Sequence, residues 1–195
     1  MMKKLLLATS LLGAFSLPLS YAAAADAHHP RVVMKTSMGD ITLELNQEKA
    51  PITVNNFLTY VKEGFYSGTI FHRVIGNFMI QGGGYTETFQ EKKTHAPIKN
   101  EANNGLKNEL GTIAMARRPD PDSASAQFFI NVVDNDFLNH TSPTPQGWGY
   151  AVFGKVVAGM EVVEKMRQTP TGSGGPFPTD VPATKIVINS VELVK

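Results

Sequence analysis

Cysteine is absent from all 195 residues. That excludes a disulfide frame, a thiol nucleophile and a thiolate metal site. Charge of either sign is sparse: Asp, Glu, Lys and Arg make up 18% of the chain, below the usual quarter. No basic excess is concentrated anywhere, which argues against a general nucleic-acid binder. The five histidines (His28, His29, His72, His95 and His140) show no second histidine at metal-ligating spacing. His28-His29 reads as a floppy terminus or a stray-metal grip. Gly82-Gly83-Gly84 lacks the lysine and helix of a phosphate loop and reads as a turn. Thr171 to Pro176 is no nucleophile elbow, because no strand and helix flank it. Asn139-His140-Thr141 is a formal glycosylation sequon in a chain whose leader looks bacterial. Neither a metal nor a cofactor is called for.

Long hydrophobic runs are also missing, save one at the start. MMKKLLLATSLLGAFSLPLSYAAAADA has a positive n-region at Lys3 and Lys4, an apolar stretch from Leu5 to Leu19, and small residues beyond. These are the three parts of a secretory signal peptide. The run is too short to span a bilayer. We expect a leader over residues 1–24, cleaved between 24 and 27, and a single exported domain over 25–195, with no lasting membrane association. Loss of the two lysines leaves sixteen Lys and Arg against seventeen Asp and Glu, a net charge of −1.

What remains is rich in short alternating runs. Ile41, Leu43 and Leu45 alternate with Thr42 and Glu44, after a first run Arg31–Ser37 and a Met-Gly-Asp turn. Further strand-like runs are Thr69–Ile75, Phe78–Gln81, Gly111–Arg117, Gln127–Val133, Tyr150–Val156 and Lys185–Leu193. PITVNNFLTYVKEG is helical in period: Val54, Phe57, Leu58 and Val61 form one stripe, with Pro51 at the first position and Gly64 past the end. A second helix fits Met160–Arg167. Eight strands and two helices predict a mainly β fold: a closed or nearly closed eight-stranded antiparallel β-barrel capped by two α-helices. Residues 85–110 and 135–149 lack periodicity.

Strand alternation isolates some odd residues. In QFFINV, Phe128, Ile130 and Val132 share a core face, while Phe129 sits between Gln127 and Asn131 on the other. Either a loop covers Phe129, or it lines a cleft. Alternation pairs Phe78 with Ile80 and Met79 with Gln81, and puts Arg73 on one face with Phe71 and Ile75. An exposed arginine with a buried stem would satisfy the same pattern.

FHRVIGNFMIQGGG closely resembles the signature of the cyclophilins, a family of peptidyl-prolyl cis-trans isomerases. GTIAMAR, SAQFFINV, DFL and YAVFGKVVAGMEVVEKM resemble the rest of that family's core, in the same order. The resemblance spans the chain beyond the leader and implies the barrel described above; with the leader, the chain resembles the periplasmic cyclophilins of Gram-negative bacteria, which implies a place in the periplasm. It implies that Arg73 is the catalytic arginine, and that Phe78, Met79, Phe129 and Leu138 form a proline pocket. Gln81 would hold substrate backbone, with Ala116, Arg117 and Gln127 along the rim. Phe137 stands where well-known eukaryotic members have Trp, and Tyr150 where they have His. Both keep an aromatic wall, but the lost indole N–H implies weak cyclosporin binding. The implied partners are proline-containing segments of exported proteins, met by a monomer without a cofactor. A non-catalytic peptide-binding or chaperone module on the same scaffold is the alternative.

Overall fold

A computed structural model describes residues 28–194; the expected leader at residues 1–24 and its cleavage region lie outside them. In chain order the elements are β1 (Arg31–Thr36), β2 (Gly39–Leu45), α1 (Pro51–Lys62), β3 (Thr69–Ile75), β4 (Met79–Thr86), β5 (Thr112–Met115), β6 (Phe128–Asn131), β7 (Val152–Ala158), α2 (Met160–Arg167), β8 (Thr171–Gly174), β9 (Phe177–Pro182) and β10 (Val187–Leu193). Eight strands close an antiparallel barrel in the order β1-β10-β3-β4-β6-β5-β7-β2, and β8 and β9 pair as a separate hairpin. The barrel strands are the eight runs that alternation picks out. The hairpin is an addition that the sequence reading did not anticipate.

The barrel interior is filled by side chains from every wall, among them Met34, Leu43, Ile80, Ile113, Phe128, Ile130 and Ile188. Helix α1 drives Phe57 into this core, 5.9 Å from the Phe128 ring and 5.3 Å from that of Phe153. Its buried stripe is Thr53, Val54, Phe57, Tyr60 and Val61, with Leu58 only partly covered. Its first turn has no side-chain cap of its own. Glu101 supplies one from a distant loop, accepting from the Ile52 and Thr53 backbone N–H groups at 3.1 and 2.8 Å. On α2, Val162, Val163 and Met166 are buried, and Met160 is partly covered.

One turn expectation is corrected. The triple glycine is not a turn; it lies within β4. Its glycines serve close approach. A Cβ on Gly83, whose φ is +81°, would stand 2.6 Å from the Phe128 ring, and one on Gly84 would stand 2.5 Å from the Gln127 side chain. The actual turn is Gly76-Asn77, where the Phe78 N–H donates to the Ile75 carbonyl at 2.9 Å.

Alternation also fails twice on this hairpin. Phe71 pairs with Gly82 but Arg73 with Gln81, so β3 carries one extra residue and bulges at His72. Phe71 therefore points into the core, while Ile75 packs on the outer cluster and Arg73 lines the cleft outside the barrel. Phe78 precedes β4 and escapes its alternation, joining Met79 outside rather than Ile80 inside.

Candidate active site

One row of cross-strand partners organises the outer surface. Arg73 on β3 lies opposite Gln81 on β4, Gln81 opposite Phe129 on β6, Phe129 opposite Ala114 on β5, and Ala114 opposite Val152 on β7. Directly opposite residues in a sheet share a face, so a cation, an amide and an apolar floor fall into line. The neighbouring row, Val74, Ile80, Ile130 and Ile113, carries its side chains into the core.

Met79, Ala114, Phe129, Leu138 and Val152 form a second apolar cluster, separate from the barrel core. Above it opens a cleft of about 450 Å³. Its lining contains ten of the eleven residues singled out from the sequence: Arg73, Phe78, Met79, Gln81, Ala116, Arg117, Phe129, Phe137, Leu138 and Tyr150. Gln127 falls in an adjoining hollow of about 360 Å³ that shares Gln81, Ala116 and Arg117. The aromatic walls are ordered. Phe78 and Phe137 stack with centroids 5.5 Å apart, and the Phe129 and Tyr150 rings meet edge-on at 5.8 Å. Phe137 is 75% exposed, so it forms a lip rather than a floor.

The polar groups form a chain along one edge. Arg73 Nη1 donates to Gln81 Oε1 at 3.5 Å, a long contact, and Gln81 Nε2 donates to Gln127 Oε1 at 3.1 Å. On its other side Arg73 Nε stands 3.9 Å from Asp180 Oδ2 on β9. Arg117 behaves differently. Its guanidinium donates to the carbonyls of Gly149, Arg118, Pro119 and Pro145. It also lies 4.7 Å over the Tyr150 ring. It clasps two loops together at the rim of the cleft. Arg118, beside it, is exposed and stands 4.0 Å from Glu91.

Sequence reasoning missed how Leu138 is held. Asn108, Asn131, Asn135 and Asn139 are all buried. Asn135 Nδ2 donates to the Phe78 carbonyl at 2.9 Å and to Asn131 Oδ1 at 2.8 Å. Asn108 Nδ2 reaches the Leu138 carbonyl at 3.2 Å and Asn139 Oδ1 at 3.2 Å. Buried amides paired in this way fix an irregular segment as firmly as a ladder would. They pin the short turn Asp136–Leu138 and the start of β4 to each other. Asn139, read as a formal sequon, is thus engaged from the inside. The one signal was Asn131, a polar residue on the outward face of an apolar strand.

His72, at the bulge, is 3% exposed, and its Nδ1 has no hydrogen-bond partner. Burial, and then the adjacent Arg73 charge, push its pKa down to about 4. Among the described residues no group of three His, Asp or Glu side chains could hold a metal ion, and no helix is long and apolar enough to cross a membrane.

Comparison with known proteins gives one result throughout. The family described as cyclophilin type peptidyl-prolyl cis-trans isomerase/CLD matches residues 31–193. A peptidyl-prolyl cis-trans isomerase of Streptomyces antibioticus is 59% identical, covering 84% of this chain and 98% of its own length. Peptidyl-prolyl cis-trans isomerase B of Escherichia coli is 58% identical, over 82% of this chain and 97% of its own. Among solved structures, the cyclophilin type peptidyl-prolyl cis-trans isomerase of Cryptosporidium parvum superposes with a TM-score of 0.68 at 26% identity. The match covers 85% of this chain and 99% of that one, whose crystals were obtained in the presence of the dipeptide Ala-Pro.

Proposed function

The chain belongs to the cyclophilin-type peptidyl-prolyl cis-trans isomerases, and we propose that it accelerates rotation about X-Pro bonds of exported polypeptides, with Arg73 as the catalytic group over the Met79–Phe129–Leu138 floor. The observation that carries this reading is the placement of Arg73 on the lining of a cleft that also exposes the apolar Met79, Phe129 and Leu138.

The chemistry explains the residue types. Rotation about a peptide bond breaks amide resonance, a barrier of about 18–20 kcal/mol. No covalent bond changes, so no nucleophile, metal or general acid is required. At the twisted transition state the imide nitrogen recovers its lone pair and becomes a hydrogen-bond acceptor. A donor fixed there binds the twisted form more tightly than either planar form, and only such differential binding accelerates the step. Arginine suits the task because its charge is permanent and its fork rigid. The twisted amide is less charge-separated, so an apolar floor favours it relative to water. Met79, Phe129 and Leu138 would grip the proline ring while Gln81 and the Ala116 rim hold the flanking backbone. Five decades of acceleration need only about 7 kcal/mol. A module that merely bound peptides would not need a cation on the lining of this cleft.

Exchange between cis and trans in an X-Pro peptide, followed by NMR, tests the reading. The protein should catalyse it, and Arg73→Ala should lower the rate about a hundred- to a thousandfold, the scale seen when one transition-state donor is removed. Phe129→Ala should slow it as well. No exchange above background with the unaltered protein would refute the activity. Undiminished exchange in both variants would refute the site.

Periplasmic placement rests on the leader at residues 1–24. N-terminal sequencing of exported protein should begin between residues 25 and 28; a retained Met1 would overturn the placement.

A further inference from the structure

The hairpin β8–β9 stands outside the barrel's hydrogen-bonded circuit, and the isomerase reading gives it no task. It is nonetheless firmly seated on β3. Phe177 stacks on His72 with centroids 5.3 Å apart and planes 30° apart, and meets the Tyr85 ring edge-on at 5.1 Å. Val181 is buried. Between these anchors lies Asp180, whose carboxylate reaches 3.9 Å from Arg73 Nε.

Two features set Asp180 apart. Its φ is +66°, and among the described residues only Phe89 shares a positive φ without being glycine. A residue with a Cβ is disfavoured there, and such conformations gather at functional sites. The second feature is the β3 bulge. It places His72 and Arg73 side by side, and the hairpin covers the first while pairing with the second.

We propose that Asp180 is the positioning residue for Arg73, an inference that rests on Arg73 being the catalytic group. Gln81, itself tied to Gln127, touches Nη1. Asp180 stands at Nε, on the other side of the same fork. Held between them, the guanidinium keeps its place on the lining of the cleft. The Arg73 and Asp180 side chains are 43% and 35% exposed, so solvent screens the pair and its contribution to stability is small. Its effect is on orientation. A long side chain released from one anchor must be ordered anew each time the amide twists, which slows the chemical step and leaves peptide binding alone.

The test is a cycle. Exchange rate and peptide affinity are measured for the unaltered protein, Asp180→Ala, Asp180→Asn, Asp180→Glu, Arg73→Ala and the double variant Arg73→Ala/Asp180→Ala. Asp180→Ala and Asp180→Asn should each lower kcat about three- to tenfold, with the NMR-titrated Kd unchanged. Asp180→Glu should recover part of the loss. In the Arg73→Ala background, removing Asp180 should change nothing. A wild-type kcat in Asp180→Ala overturns the inference. So does an equal loss in the Arg73→Ala background, which would mean that Asp180 acts through the hairpin and not through the arginine. If Arg73→Ala itself exchanges at the unaltered rate, the underlying site assignment falls instead.

Discussion

Strands β4, β5 and β6 are apolar on both faces, and the two faces have opposite fates. Inward, Ile80, Ile113, Phe128 and Ile130 meet side chains from the other barrel strands and from α1. Outward, Met79, Ala114 and Phe129 meet Leu138, Val152, Ile75 and a few loop residues, and a cleft opens above them. A sheet normally turns polar groups to its unpacked face. Here oily residues are kept there, beside Arg73. The difference separates a surface that stabilises the fold from a surface held ready for something else.

That contrast can be broken by experiment. Phe128 and Phe129 are adjacent, chemically identical and point opposite ways. Phe128→Ala should destabilise by about 3–5 kcal/mol, because it leaves an enclosed cavity among Phe57, Tyr66 and Phe71. Phe129→Ala should cost about 2 kcal/mol, because the space it leaves joins the cleft and fills with water. Urea unfolding of the two variants decides this. Equal losses would mean that the outer cluster is simply a second core.

A further effect belongs to the stretch of outer face that the hairpin covers. His72 titrates near 4 when folded and near 6.5 when unfolded. The unfolded chain therefore binds the extra proton first. The stability from keeping His72 neutral is fully present above about pH 6.5 and is lost as pH falls toward 4, by up to about 3 kcal/mol. Unfolding curves between pH 7 and 4 should show that loss, and His72→Gln should show less of it. Parallel pH slopes for the two proteins would mean that His72 is not held neutral in the fold.

Much of this architecture was legible in the residue order. Ile41, Leu43 and Leu45 announced a strand, and Val54, Phe57 and Val61 a helix, because burial of one face imposes a period on any chain. The hairpin was not legible. Thr171 to Gly174 carries no apolar side chain, and Phe177 to Pro182 contains Pro178 and Pro182, which argue against a strand except at an edge. Its place is decided by Phe177 meeting His72 and Tyr85, a contact between segments about a hundred residues apart. The β3 bulge was equally hidden. One extra residue at His72 leaves no mark on composition, yet it turns Arg73 to the cleft side of the sheet.

Residue order alone determined the eight barrel strands, the two helices, the absence of thiol chemistry and the set of side chains to suspect. These depend on local periodicity and side-chain chemistry, which each segment carries with it. Tertiary structure alone decided which side of the sheet Arg73 faces, that Arg117 is occupied with loop carbonyls, that four buried asparagines hold Leu138, and that Asp180 stands beside the arginine. Those are matters of register and of pairing across distant segments, and they are settled only when the barrel closes.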